Sequence, residues 1–108
     1  MTAPDPAAGE RLAETLVKER LATCANVVPG LTSIYWWEGK VERANETLLI
    51  LKTVEARVAA LRDRAVSLHS YAVPEVLVLD VADGHVPYLD WVRRESLAGT
   101  AGDTQGSR

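Results

Sequence analysis

Cys24 is the only cysteine among the 108 residues of this chain. A thiolate beside an imidazole and a carboxylate is the donor set that copper and zinc prefer, and the sequence supplies His69, His85 and Glu75 as partners. None of them stands at a local ligand spacing such as CxxC or HxxxH, so any metal site must be assembled by the fold. By spacing alone, Cys24 reads as a small buried hydrophobe at the end of an amphipathic helix. His69 follows a second helix, where an imidazole suits the last carbonyls as a C-terminal cap. Glu75 follows Pro74 at the entrance of an otherwise apolar stretch. It serves there either as a ligand or as an ion-pair partner of Lys40, Lys52 or an arginine across a subunit boundary. His85 lies in a loop and carries no signal. Trp36 and Trp37 read as core or interface rather than as a stacking platform. A Gly-rich phosphate loop, GxSxG, HExxH and a Cys-His-Asn order are all missing, so an enzyme is the least supported class.

The elements that must position these residues follow from periodicity. Asp5 suits an N-cap and Pro6 a first helical position. Leu12, Ala13, Leu16, Val17 and Leu21 then recur at helical spacing, which predicts an amphipathic helix over 6–22. Gly9 weakens its first turn. Residues 25–37 are β-rich and interrupted by Pro29-Gly30, a pair that reads as a bulge because proline cannot donate to a ladder. Glu38-Gly39-Lys40 is a short turn, and residues 41–52 return as the second arm of a long hairpin. Thr53 is placed to cap a helix carrying Val58, Leu61, Ala65 and Leu68 on one stripe. Val76-Leu77-Val78-Leu79-Asp80-Val81 reads as a further strand, and Pro87 to Val92 as the start of a short final helix. From Ala98 to Arg108 the residues are small or polar and have nothing to bury, which predicts a disordered tail. The domain is therefore expected over 1–97.

Composition narrows the class. The hydrophobic fraction is 47%, the charged fraction 25% and the net charge −3. These are the proportions of an ordinary globular chain, large enough for one core. An acidic balance without basic blocks argues against nucleic acid. No apolar run approaches the ~20 residues of a membrane span. One cysteine fits a reducing compartment, so a cytoplasmic protein is expected. The order helix, strand, strand, helix, strand, helix would become βαββαβ with one more strand in front. Helices then sit on one face of an antiparallel sheet, yet residues 48–51 and 76–79 are apolar at successive positions, and Tyr35, Trp36 and Trp37 put aromatics on both faces. Such two-faced strands predict a closed oligomer whose subunits cover each other's open sheets. The alternative is that the last helix and the hairpin fold back over the second face.

Several strings resemble a known family. Leu16-Val17-Lys18-Glu19-Arg20-Leu21-Ala22-Thr23-Cys24-Ala25-Asn26 is similar to the "LVEERLAACVN" segment of CutA, the divalent-cation-tolerance proteins. Residues Pro29 to Lys40 resemble the segment that follows it, His69-Ser70-Tyr71-Ala72-Val73-Pro74-Glu75 resembles "HPYEVPE", and Tyr88-Leu89-Asp90-Trp91 resembles the closing helix. The resemblance implies a ferredoxin-like α+β sandwich assembled as a homotrimer, related in architecture to PII signalling proteins. It implies an association with copper, zinc or other divalent metals. It also implies a cleft between subunits lined by Cys24, His69 and Glu75, with Tyr71, Trp37 and Lys52 bordering it and Tyr35, Trp36 and Trp91 at the oligomer interface. The competing expectation is a PII-like module that holds a small ligand and no specific metal.

Three departures from that pattern bear on the site. Ser70 stands in place of proline and Ala72 in place of glutamate, the second removing a carboxylate. The third is at the front, where about four or five apolar residues of a first strand are expected before Thr2. In the order 4-1-3-2 that strand is central. The natural reading frame is expected to begin a few codons earlier, or the chain to fold with a shortened strand at 1–4.

Overall fold

The computed structural model describes residues 1–98. The expected tail lies, beyond Ala98, outside the described residues. Six elements follow in order: β1 (Thr2–Ala3), α1 (Pro6–Lys18), β2 (Cys24–Trp37), β3 (Lys40–Lys52), α2 (Glu55–Leu68) and α3 (Val86–Leu97). The class is α+β, with one antiparallel sheet ordered β1-β3-β2. β1 is thus an edge strand and not the central one. It pairs Thr2 with Leu48 and Ala3 with Thr47, and the Met1 amine donates to the Leu49 carbonyl at 2.8 Å.

Local chemistry explains most boundaries. The Asp5 carboxylate accepts from the Ala8 amide at 2.8 Å, as an N-cap should. α1 ends at Lys18, four residues short of the expected end at 22. Arg20 takes a left-handed φ of 63°. The Leu21 amide donates back to Leu16 and the Arg20 amide to Val17, which is a Schellman stop with arginine where glycine is usual. Thr53 does not cap α2. The cap residue is Val54, and the Thr53 hydroxyl instead donates to the Leu21 carbonyl at 2.7 Å, tying the end of β3 to the end of α1. Glu38 and Gly39 both have positive φ and form the two-residue turn whose twist matches the hairpin.

α1 lies on one face of the sheet and buries Gly9, Leu12, Ala13 and Leu16. Gly9 is there for closeness: a Cβ would come within 3.1 Å of Thr47 Cγ2 and 3.2 Å of Leu49 Cδ1. Leu49 completes the core with Ala3, Leu12 and Ala13. Thr47 is fully buried, and its hydroxyl has no partner among the described residues. A buried, unpaired hydroxyl costs its desolvation with no return. Thr47→Val is therefore expected to raise stability by about 1 kcal/mol, seen as a higher urea midpoint at unchanged slope.

Residues 74–85 carry no regular secondary structure, so the strand expected at 76–81 is not formed in the single chain. Leu77, Leu79 and Val81 are 73%, 86% and 75% exposed. The physical reason is that a strand is a pairing: without a ladder partner in the single chain, residues 76–81 have nothing to satisfy an extended backbone. The last helix is longer than expected and does not cover the second sheet face. It docks where α1 meets β2: Thr23 Oγ1 donates to the Val92 carbonyl at 2.8 Å, Arg57 Nε to the Ser96 carbonyl at 2.9 Å, and Arg20 pairs with Glu95 at 3.2 Å. Val28 and Ile50 on the uncovered face stay 44% and 47% exposed.

Candidate functional site

Strand alternation assigns the candidate residues to faces. Cys24 pairs with Lys52, Asn26 with Ile50 and Val28 with Leu48. All six project from the face opposite α1. The ladder then slips between Val28 and Leu31, where Pro29 and Gly30, the latter at φ 83°, oppose Thr47 alone. One inserted residue reverses the facing of everything beyond it. Leu31, Ser33, Tyr35 and Trp37 therefore continue the open face begun by Cys24, beside Glu46, Ala44, Glu42 and Lys40. Ile34 and Trp36 turn to the other side beyond the reach of the helices, and Trp36 is 75% exposed.

The open face has two chemically distinct regions. At the strand end, Lys52 Nζ donates to Asn26 Oδ1 and lies 3.9 Å from Cys24 Sγ. Asn26 escaped the sequence reading because an amide in an apolar strand has no motif. Cys24 also lines a shallow depression of about 420 Å³ with Ala13, Glu14, Val17 and Trp91. This puts Trp91 beside the cysteine rather than beside the hairpin aromatics, and its ring meets Tyr88 at 5.6 Å.

The second region gathers around His69. Its Nε2 lies 2.7 Å from the Thr2 carbonyl, an acceptor only, so Nε2 carries the proton. Its Nδ1 accepts from the Tyr71 amide at 3.1 Å. Both ring nitrogens are engaged inside the chain, and the tautomer is fixed. The Tyr71 ring stands 4.6 Å from the imidazole, and its hydroxyl donates to Glu46 Oε2 at 2.8 Å. Burial and the bond to the Glu46 carboxylate push the Tyr71 phenol up to about 12, so its proton is held. Glu46 was missed in sequence because it stands among polar residues of β3 with only the bulge to fix its facing. Glu75 is exposed. Its charge acts on the Met1 amine, whose pKa is lowered by burial and partly restored by this carboxylate.

Cys24, His69 and Glu75 do not meet within one chain. Cys24 is opposite Lys52, whereas His69 binds the strand whose Thr2 is opposite Leu48. Four positions along a strand amount to ~13 Å. Among the described residues no three His, Cys, Asp or Glu side chains gather into a metal-holding group. Trp37 is farther still: thirteen strand positions from Cys24 span roughly 40 Å, most of the molecule's 48 Å length. The donor set therefore does not fit a metal ion inside a single subunit. The fold brings together Cys24 with Lys52 and Asn26, and His69 with Tyr71 and Glu46.

Comparison with known proteins decides the family. The family model described as CutA1 divalent ion tolerance protein matches residues 1–95. The chain belongs to this family. It is 45% identical over 96 residues to the protein CutA 1, chloroplastic, of rice (Oryza sativa subsp. japonica), covering 89% of this chain and 54% of the relative. It thus spans about half the length of that protein. The solved structure of the divalent cation tolerance protein Cut A1 from Thermus thermophilus superposes with a TM-score of 0.84 at 46% identity, over 87% of this chain and 91% of that one. The PII-like protein CutA from Nostoc sp. PCC 7120, in apo form, gives 0.82 at 35% identity over 88% and 91%. The CutA expectation drawn from the LVKERLATCAN and HSYAVPE strings is thereby met, as is its PII-like relation. No helix among the described residues is long and apolar enough to cross a membrane.

Proposed function

We propose that this CutA chain works as a homotrimeric, cytoplasmic divalent-cation-tolerance protein, without enzymatic activity, that binds copper or another divalent ion at a site completed between subunits. Cys24 supplies the thiolate and Glu75 the carboxylate. His69 is the third group that the resemblance assigns, but its two ring nitrogens are already engaged by Thr2 and Tyr71. The observation that carries the reading is the open sheet face, where Cys24 lies at the end of an apolar surface that its own helices leave uncovered. A second copy laid on that face covers Val28 and Ile50 and brings its own side chains to the thiol. Titration with copper and with zinc is the test. Cys24→Ala is expected to weaken binding at least tenfold, because a soft thiolate dominates such a site. Affinity in the wild type is expected to fall as pH falls, because protons compete for the ligands. Equal affinity in both proteins would remove Cys24 from the site.

One observation favours a second reading, a PII-like module for a small anionic ligand. The Lys52 ammonium lies 3.9 Å from Cys24 Sγ, and a fixed cation beside a donor opposes entry of another cation. A thermal-shift screen separates the two, since only the ligand that binds the native state raises its midpoint. Stabilisation by anions or nucleotides but not by metals supports this reading over the first.

A further inference from the structure

We infer that His69 of this chain is a structural clasp on the first strand and not a metal ligand. The short strand β1 offers two paired residues, and its upstream end is held by the reciprocal bonds between Met1 and Leu49. His69 grips the same strand through the carbonyl of Thr2, anchoring it to the end of α2. The other nitrogen closes the turn that follows by accepting from the amide two residues on, as an Asx side chain does. That turn carries Tyr71 onto Glu46. One imidazole therefore fastens β1, the end of α2 and β3 together. A metal at Nε2 displaces the proton given to Thr2, and a metal at Nδ1 displaces the Tyr71 amide. Either way the ion competes with a bond that holds the sheet, whereas Cys24 Sγ meets the Lys52 ammonium at a longer 3.9 Å.

Two substitutions divide the ring's functions. His69→Gln places an amide NH2 near the position of Nε2 and keeps a donor toward Thr2. His69→Asn places an acceptor near Nδ1, keeps the turn and loses the reach to Thr2. Amide hydrogen exchange at Leu49, whose N–H donates to the Met1 carbonyl, reports the closure of β1. In His69→Asn that amide is expected to exchange roughly five- to tenfold faster, while the Leu16 amide inside α1 keeps its rate. His69→Gln is expected to stay within about twofold of wild type for Leu49. Copper affinity, compared at one fixed pH because protons compete for the ligands, is expected to be unchanged in His69→Gln. The clasp is overturned if Leu49 exchange is the same in His69→Asn as in wild type. The exclusion of His69 from the metal site is overturned if His69→Gln weakens copper binding as much as Cys24→Ala does. If neither wild type nor the Cys24 variant binds metal, the proposed metal function fails while the exchange result still decides the clasp.

Discussion

Leu49→Ala is expected to lower the free energy of unfolding by about 3 kcal/mol, within the usual range for a buried leucine. Leu49 is 1% exposed and sits where α1, β1 and β3 meet. Its side chain faces the site of Gly9 and packs with Ala3, Leu12 and Ala13. Met1, Val27 and Leu51 pack against the same cluster from its rim, so the space left is closed only in part and the cost combines lost burial with a residual cavity. The same strand position pairs with Met1 through two backbone bonds, so loss of packing also loosens β1. Urea unfolding of the purified variant measures the effect. A loss below about 1 kcal/mol would mean that α1 closes onto the sheet. For a domain whose whole stability is of the order of 5–15 kcal/mol, the expected change is large.

Ile50→Glu is expected to convert the proposed trimer to a single chain. Ile50 is on the uncovered face, 47% exposed in one subunit, between Lys52 and Leu48 on the same strand face. A glutamate there is harmless to an isolated subunit, because the position is solvated. In the proposed trimer it places a carboxylate from each subunit against apolar surface, and burying an unpaired charge costs several kcal/mol. Light scattering on a sizing column is expected to give three times the 11.8 kDa chain mass for wild type and one chain mass for the variant. Helical circular dichroism should be retained in the variant, which separates dissociation from unfolding. A wild type that elutes at one chain mass would sink the proposed assembly. A trimer that survives Ile50→Glu would move the subunit boundary away from this face, toward the exposed residues 76–81.

Local signals are legible wherever a residue's own chemistry sets its conformation. Asp5-Pro6 announces the start of α1, Pro29-Gly30 the bulge and Glu38-Gly39 the hairpin turn. They mislead where a distant group decides the outcome. Arg20 stops α1 without a glycine, and its guanidinium is held by Glu95, far along the chain. Thr53 has the right type for a cap but spends its hydroxyl on Leu21. Val76 to Val81 is mostly β-favouring in type, yet a strand is a pairing, and the single chain gives these residues no ladder partner.

The candidate site divides in the same way. Residue types alone determined that this is a small α+β chain of the CutA kind, that Cys24 is its one soft donor, and that residues 48–51 put apolar side chains on both faces of its sheet. Tertiary structure alone decided that the bulge turns Tyr35 and Trp37 onto the face of Cys24, that the Lys52 ammonium reaches both Asn26 and the thiol, and that His69 is committed to Thr2 and Tyr71. The physical reason is that composition fixes which groups are present and which surfaces avoid water. Facing and hydrogen-bond partners depend instead on strand register, where a single inserted residue reverses every side chain beyond it.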